Sequence, residues 1–331
     1  MPQFERKRIC IAGAGAIGCT IAARMALTGH TVSVLARGAT LGAIRRDGIT
    51  LTDHEGTHQV AVHASEHAEF GVQDIVFVCA KAQDLAGILP RLQPLIDEHT
   101  IVVPTVNGVP WWYFYGEGGR FADQTVHAVD PDRQISALLP LRHIIGSVVF
   151  IAAEVEQPGH VVARTPHLIM FGEPANGLSP RLLELCAAVE AGGIEARPLE
   201  RIRDKLWTKI IANISTNPLS VITGATLEEL YTRPELKETV VAIMREVLLV
   251  AASYGARVEI DPLSFIELGA AMGPVRTSML QDHDKGRPLE LAAIGDAVLE
   301  LAARFDIPMP VTRKVIDLTR FRGKQDATRH A

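Results

Sequence analysis

Apolar positions recur along the chain in two rhythms, and the change from one to the other falls near Pro198. Before it, short continuous apolar runs alternate with longer amphipathic ones. Arg8-Ile-Cys-Ile-Ala12 stops at a glycine cluster, and Ala16 to Leu27 then carries helical spacing as far as Gly29, which gives strand, tight turn and helix. Thr31 to Ala36, Asp74 to Ala80 and Ile101 to Val106 supply further strands, with a helix expected over Asp84 to Ile96. Strands that alternate with helices predict an α/β fold with a doubly wound parallel sheet, the Rossmann-type arrangement. Ile49 to Leu51 and Gln59 to Ala64 read as short strands that lengthen a crossover. Val148 to Glu154, Val161 to Ala163 and His167 to Phe171 read as an antiparallel extension.

After Pro198 the segments Arg201 to Thr216, Leu227 to Leu230, Pro234 to Tyr254, Pro262 to Ala271 and Leu289 to Phe305 all carry apolar residues at helical spacing. The expected organisation is a nucleotide-binding domain with a strand extension over 1–198 and an all-helical domain over 199–331. The tail Arg322 to Ala331 lacks any such pattern and reads as disordered.

Composition narrows the class. Against 38 Asp and Glu the chain has 33 Lys and Arg, a formal charge of −5, which disfavours a nucleic-acid-binding surface. A hydrophobic share of 47% in 331 residues is that of a globular protein long enough for two domains, with small-molecule chemistry expected in a cleft. Cys10, Cys19, Cys79 and Cys186 form no C-x-x-C pair, so neither a metal site nor a disulfide framework is expected. The opening residues hold no apolar stretch long enough for a secretion signal or a membrane span, and a soluble, cytoplasmic protein is the expectation.

Gly13-Ala14-Gly15-Ala16-Ile17-Gly18 lies between the first strand and the first helix, where the backbone can approach a pyrophosphate while helix N–H groups face it. A glycine-rich packing turn is the plainer reading, and the strand and helix on either side favour the nucleotide. The second strand ends in Leu35-Ala36-Arg37-Gly38, with no acid before Asp47 to receive a ribose hydroxyl. Arg37 there suits a 2′-phosphate, and so NADP(H) over NAD(H), with Arg45 or Arg46 able to share the role. Lys81 and Asn107 each follow a strand's carboxyl end, the side on which open parallel sheets bind ligands.

In the helical half, Lys209, Asn213 and Asn217 are spaced by four, about 400° around a helix, and so form one polar lane on a segment otherwise apolar through Leu206, Ile210, Ile211 and Ile214. A buried polar lane is costly unless satisfied. Farther on stand Thr277-Ser278-Met-Leu-Gln281-Asp282 and Arg287-Pro-Leu-Glu290, the glutamate at the start of an expected helix, where a carboxylate is favoured in any case.

Taken in order, GAGAIG at 13–18, Arg37, CAK at 79–81, NG at 107–108, KIIANISTNPL at 209–219, SMLQD at 278–282 and RPLE at 287–290 resemble the ketopantoate reductases (2-dehydropantoate 2-reductases) over nearly the whole chain. The resemblance implies NADP(H) on Gly13, Ala14, Gly15, Ala16, Ile17, Gly18 and Arg37, with Lys81 and Asn107 near cofactor and reacting centre. It implies Lys209 as general acid, Asn213 and Asn217 on the substrate's polar groups, Ser278 on its carboxylate, and Glu290 in the proton network. The implied reaction is NADPH-dependent reduction of 2-dehydropantoate or a related 2-oxoacid, in pantothenate biosynthesis. Partners are then a small 2-oxoacid, no nucleic acid and no membrane, with a homodimer left open.

One departure from the family is the aromatic run Trp111-Trp112-Tyr113-Phe114-Tyr115, unusual in a chain with 5% aromatic residues, which suggests either a lid or a subunit contact. Two other readings compete. A 3-hydroxyacid or 6-phosphogluconate-type dehydrogenase also uses a K-x-x-x-N lane, although a glycine-histidine pair typically leads into its lysine, where this chain has Arg203 to Thr208. A non-catalytic NADPH-binding regulator would have no use for Lys209, Ser278 and Glu290 together.

Overall fold

The computed structural model describes residues 5–259 and 261–329. They divide into two units: 5–106, 114–124 and 133–202 form the first, and Asn107–Tyr113, Thr125–Asp132 and the chain from Arg203 onward form the second.

The first unit begins β1 (Arg8–Ala12), α1 (Ala16–Leu27), β2 (Thr31–Leu35), α2 (Gly38–Asp47), β3 (Ile49–Asp53), β4 (Gly56–Val60), β5 (His63–Ser65) and β6 (Ile75–Val78). It continues with α3 (Leu85–Leu92), β7 (Ile101–Pro104), α4 (Gln134–Leu138), β8 (Gly146–Phe150), β9 (Ala153–Gln157), β10 (His160–Ala163), β11 (Leu168–Gly172), α5 (Pro180–Ala191) and β12 (Glu195–Leu199). The main sheet runs β5-β2-β1-β6-β7, every neighbour parallel, as the apolar runs predict. Ile9, Ile11, Val34, Phe77 and Val103 share its core with Phe171, Leu182 and Val189. The long helix expected over Asp84 to Ile96 is shortened to α3, with 3₁₀ turns at Ala82–Asp84 and Gln93–Leu95; Pro90 and Pro94 remove the N–H groups a continuous helix would need.

Two smaller sheets, β4-β3-β10-β9 and β12-β11-β8, replace the expected antiparallel extension. Both are mixed, because β10 runs parallel to β3 and β12 parallel to β11. α2 escapes a periodicity reading because only Ala43 and Ile44 are buried on it. A buried charge cluster ties α1 to these sheets: Arg24 pairs with Asp53, and with Glu55 at 2.5 Å, while His167 Nε2 donates to Asp53 at 2.9 Å. Burial raises the Asp53 pKa, but hydrogen bonds from His167, the Glu55 N–H and Arg24 outweigh it and hold the carboxyl below the usual range. Burial lowers His167, which donates from its neutral form.

The second unit holds α6 (Ile202–Thr223, its first residue in the first unit), α7 (Leu227–Thr232), α8 (Pro234–Ser253), α9 (Pro262–Ala270), α10 (Ser278–Asp284), α11 (Ala297–Ala303) and α12 (Pro310–Arg329). Helix α8 buries Val240, Ile243, Met244, Val247, Val250 and Ala251, the stripe its spacing predicts, and its Glu246 caps α12 through the N–H groups of Val311 and Thr312 at 3.0 and 2.9 Å. The expected disorder from Arg322 does not hold for residues 322–329: α12 continues to Arg329, with Gly323 packed close to Leu289, while 330 and 331 lie outside the described residues.

Two helices depart from the expected boundaries. α6 runs through Pro218 to Thr223; hydroxyls shore up its backbone, Thr216 on the Ala212 carbonyl at 2.7 Å and Thr319 on that of Pro218 at 3.0 Å. The helix expected over Leu289 to Phe305 opens with a π-turn at Ala292–Asp296 before α11. Gly108 and Val109 explain it in part. Gly108, at φ +82°, lies so close to the Ala293 carbonyl that a Cβ would meet its oxygen at 2.3 Å, and Val109 donates to that same oxygen at 2.9 Å. Among the described residues no helix is long and apolar enough to cross a membrane.

Candidate active site

The glycine turn of the first unit does three different things. Gly13 sits at φ +120° with its α-carbon against the Cys79 carbonyl, where a Cβ would lie 2.5 Å from the oxygen. Gly18 lets α1 close onto the turn, since a Cβ there would be 1.9 Å from the Gly13 oxygen. Gly15 is exposed and has no atom within 4 Å of a Cβ position. Packing thus explains the outer two glycines and leaves the middle one facing open space at the N-terminus of α1, where Ala16, Ile17 and Gly18 have N–H groups without helical partners and no acid stands in the first turn. A pyrophosphate fits there.

Arg37 lies two residues beyond Leu35, which pairs with Ala12 across the sheet, so it stands at the same sheet end as Gly13. Its side chain is exposed. Arg45 and Arg46 are drawn elsewhere: Arg45 Nε donates to the Ala64 carbonyl at 2.9 Å and Arg46 Nε to Asp47 at 2.9 Å, so a shared phosphate role would cost those bonds. Lys81 follows β6 on the other side of β1, half-buried, where the strand order reverses direction about β1.

In the second unit α6 carries the polar lane. Lys209 and Asn213 are half-buried among Leu206, Ile210, Ile211 and Ile214, and Asn217 is 4% exposed. Burial brings the Lys209 ammonium down to about 8, so desolvation prevails over any opposing charge. The Asn217 amide oxygen lies 3.4 Å from the Thr216 hydroxyl, while its Nδ2 has no hydrogen-bond partner among the described residues. An orphaned buried donor two turns along the helix from a lysine of lowered pKa is what a polar ligand would satisfy.

Asn107 is half-buried and fixed by the Gly108–Ala293 approach described above. That approach joins it to the π-turn that begins two residues after Glu290, itself buried, with its carbonyl accepting from Ile294 at 3.1 Å. Ser278 is exposed at the first position of α10, which Thr277 caps by accepting from Leu280 N–H at 3.1 Å. Lys209, Asn213, Asn217, Asn107, Ser278 and Glu290 thus belong to one unit, and the glycine turn, Arg37 and Lys81 to the other.

Most of the aromatic run is interior rather than exposed, with Tyr115 alone of its residues half-buried. Trp111, Trp112, Tyr113 and Phe114 are all buried within the chain. Arg203 Nε donates to the Tyr113 carbonyl at 2.8 Å, and its guanidinium lies over the rings of Trp112 and Tyr113. Residues that the sequence reading passed over are Arg203, Trp207 and the hydroxyl of Ser220; only their partners in space reveal them.

Comparison with known proteins identifies the family. The family model described as ketopantoate reductase PanE/ApbA matches residues 9–176, and that of its C-terminal part matches 201–323. A curated 2-dehydropantoate 2-reductase of Mesorhizobium japonicum is 37% identical over 95% of this chain and 97% of its own. A solved structure assigned as a ketopantoate reductase of Ralstonia solanacearum MolK2 superposes with a TM-score of 0.92 at 36% identity, covering 97% of this chain and 99% of that one. A 2-dehydropantoate 2-reductase of Geobacter metallireducens GS-15 gives 0.84 at 27% identity, covering 95% and 99%. A D-mandelate dehydrogenase solved with NADH shares the fold at 20% identity, with a TM-score of 0.82 over 96% of this chain and 98% of that one. With both halves matched by its models and a curated relative aligned almost end to end, the chain belongs to the PanE/ApbA ketopantoate reductase family and is an oxidoreductase.

Proposed function

We propose that the protein reduces a branched 2-oxoacid of the 2-dehydropantoate type to its 2-hydroxy acid, using NADPH. The observation that carries this reading is the α6 lane, where a lysine brought down to about 8 by burial stands two turns from an asparagine whose buried amide nitrogen has no hydrogen-bond partner among the described residues. Names carried by the relatives support the substrate class, and Arg37 with no acid beside it supports the phosphorylated cofactor.

When bound, the nicotinamide supplies a hydride to the carbonyl carbon. The chain supplies the rest. Gly15 and the first turn of α1 receive the pyrophosphate, and Arg37 the 2′-phosphate. Asn107 and Lys81 line the nicotinamide end. As the carbonyl becomes an alkoxide, Lys209 gives its proton to the oxygen, and its positive charge draws the electrons that way beforehand. Asn213 and Asn217 hold the substrate's polar groups, Ser278 its carboxylate, and Glu290 takes part in returning a proton to the lysine.

The test is NADPH consumption measured against a panel of 2-oxoacids, 2-dehydropantoate included. The expected result is turnover that favours branched 2-oxoacids and NADPH over NADH. Oxidation of 3-hydroxyacids with NADP⁺, and no 2-oxoacid turnover, would instead establish the 3-hydroxyacid dehydrogenase reading.

A further inference from the structure

The hydroxyls of Ser220 and Thr277 lie 2.7 Å apart, both buried, one on α6 and the other immediately before α10. Their neighbours fix where each proton points. Leu280 N–H donates to Thr277 Oγ1 at 3.1 Å. Ser220 Oγ lies 2.6 Å from the Asn217 carbonyl, which can only accept, so the serine proton goes there. The remaining proton of the pair is that of Thr277, and it points at Ser220. The result is a directional chain: Leu280 N–H to Thr277, Thr277 O–H to Ser220, Ser220 O–H to the Asn217 carbonyl.

We propose that this hydroxyl relay is a positioning device that holds Ser278 in register with Asn217 and thereby sets how tightly the 2-oxoacid is held. The inference rests on the reading of Ser278 and Asn217 as substrate-binding residues. Ser278 is adjoined to one end of the relay by a single peptide bond, and its own side chain makes no hydrogen bond to another described residue that would fix it independently. Asn217 accepts the other end through its backbone, at the point where Pro218 deprives α6 of a helical N–H. Two buried hydroxyls also cost more than Ala and Val would in the same space unless their bonds are made, so the pair favours one relative placement of the two helices over its neighbours.

Ser220→Ala removes the relay and leaves the Thr277 cap on Leu280 intact, which makes it the sharper variant. Steady-state kinetics with 2-dehydropantoate and NADPH should show KM for the oxoacid raised about tenfold, from the loss of one buried hydrogen bond. The kcat should stay within about threefold, and KM for NADPH should be unchanged. Thr277→Val should raise the same KM, Thr277→Ser should restore it, and Thr277→Val added to Ser220→Ala should raise it little further, because the two act as one link. Should Thr277→Val fail to fold, Ser220→Ala decides alone. An unchanged oxoacid KM in Ser220→Ala, with Ser278→Ala raising it, overturns the relay and keeps the substrate reading. An unchanged KM in both Ser278→Ala and Asn217→Ala overturns the substrate reading and the relay with it.

Discussion

Trp207 donates its indole N–H to the phenol oxygen of Tyr113 across 2.8 Å, with both rings buried and set edge to face at 6.1 Å. Tyr254 stacks on Trp207 and meets Phe305 edge to face at 4.8 Å, so Tyr113 belongs to the packed interior of the second unit. Tyr113→Phe strands a buried N–H and should cost about 1–3 kcal/mol in denaturant unfolding. Trp112→Ala should cost about 3–5 kcal/mol. A change in substrate preference without loss of stability in Trp112→Ala would return the run to a lining role.

Arg37→Asp should weaken NADPH binding by at least about tenfold, or about 1.4 kcal/mol, and leave NADH little affected. Titration of each cofactor against the folded variant reads this directly. Equal losses for both would remove the 2′-phosphate from Arg37.

Lys209 links rate to pH. In the proposed role of general acid it must be protonated, so the reduction rate should fall as pH rises through about 8. Lys209→Ala should lower kcat by roughly 10²- to 10⁴-fold with NADPH binding retained. Glu290→Ala should slow turnover as well, and the double variant should lose far less than the product of the two single losses. A Lys209→Ala enzyme within a few-fold of the parent would sink the proton-transfer role.

The same lysine should cost stability. Its folded pKa lies below its unfolded value of 10.5, so the unfolded chain binds the proton first as pH falls, and stability is lost between 10.5 and about 8 and stays lost below. Lys209→Met should therefore raise the Tm at neutral pH, by up to about 3 kcal/mol of stability, while abolishing turnover.

His167 makes the first unit sensitive to acid. Burial lowers its folded pKa below the ordinary 6.5, so the unfolded chain takes up the proton first, and stability should decline as pH falls below 6.5. Asp53, held low by its donors, adds a further loss at more acid pH, once pH falls below its ordinary 3.8. Thermal melts across pH 4–8 should show the decline, and His167→Gln should flatten the part of it near neutrality. An identical pH profile in His167→Gln would place the acid sensitivity elsewhere.

Elements with strong local patterns were legible before the fold was seen. Arg8 to Ala12, Ala16 to Leu27 and the stripe on α8 each bury a continuous run or one face, and that burial is written in their spacing. Less could be read where few residues are buried, as on α2, or where the reason lies far off in the chain. Nothing near Ala292 announces a π-turn, because the part of its cause that can be traced lies in Gly108 and Val109. The Arg24, Asp53 and His167 cluster draws on α1, β3 and the residue before β11, and the Ser220–Thr277 pair joins two helices. Single residues such as Lys209 and Asn217 could be picked out as a lane, but their burial and the orphaned amide come only from three-dimensional packing.

The turn at Ala292–Asp296 also bears on how this chain can change length. A π-turn holds about one residue more than an α-turn, so removing one residue there would let the segment close into ordinary helix with its flanks nearly in register. The Ala293 carbonyl would turn back into the helix and leave the N–H of Val109 without its acceptor. A single-codon deletion in this stretch would thus leave the helix whole and yet release the loop that carries Asn107, through the lost Val109 bond. Working descendants of this sequence should preserve the segment's residue count even where they vary its side chains.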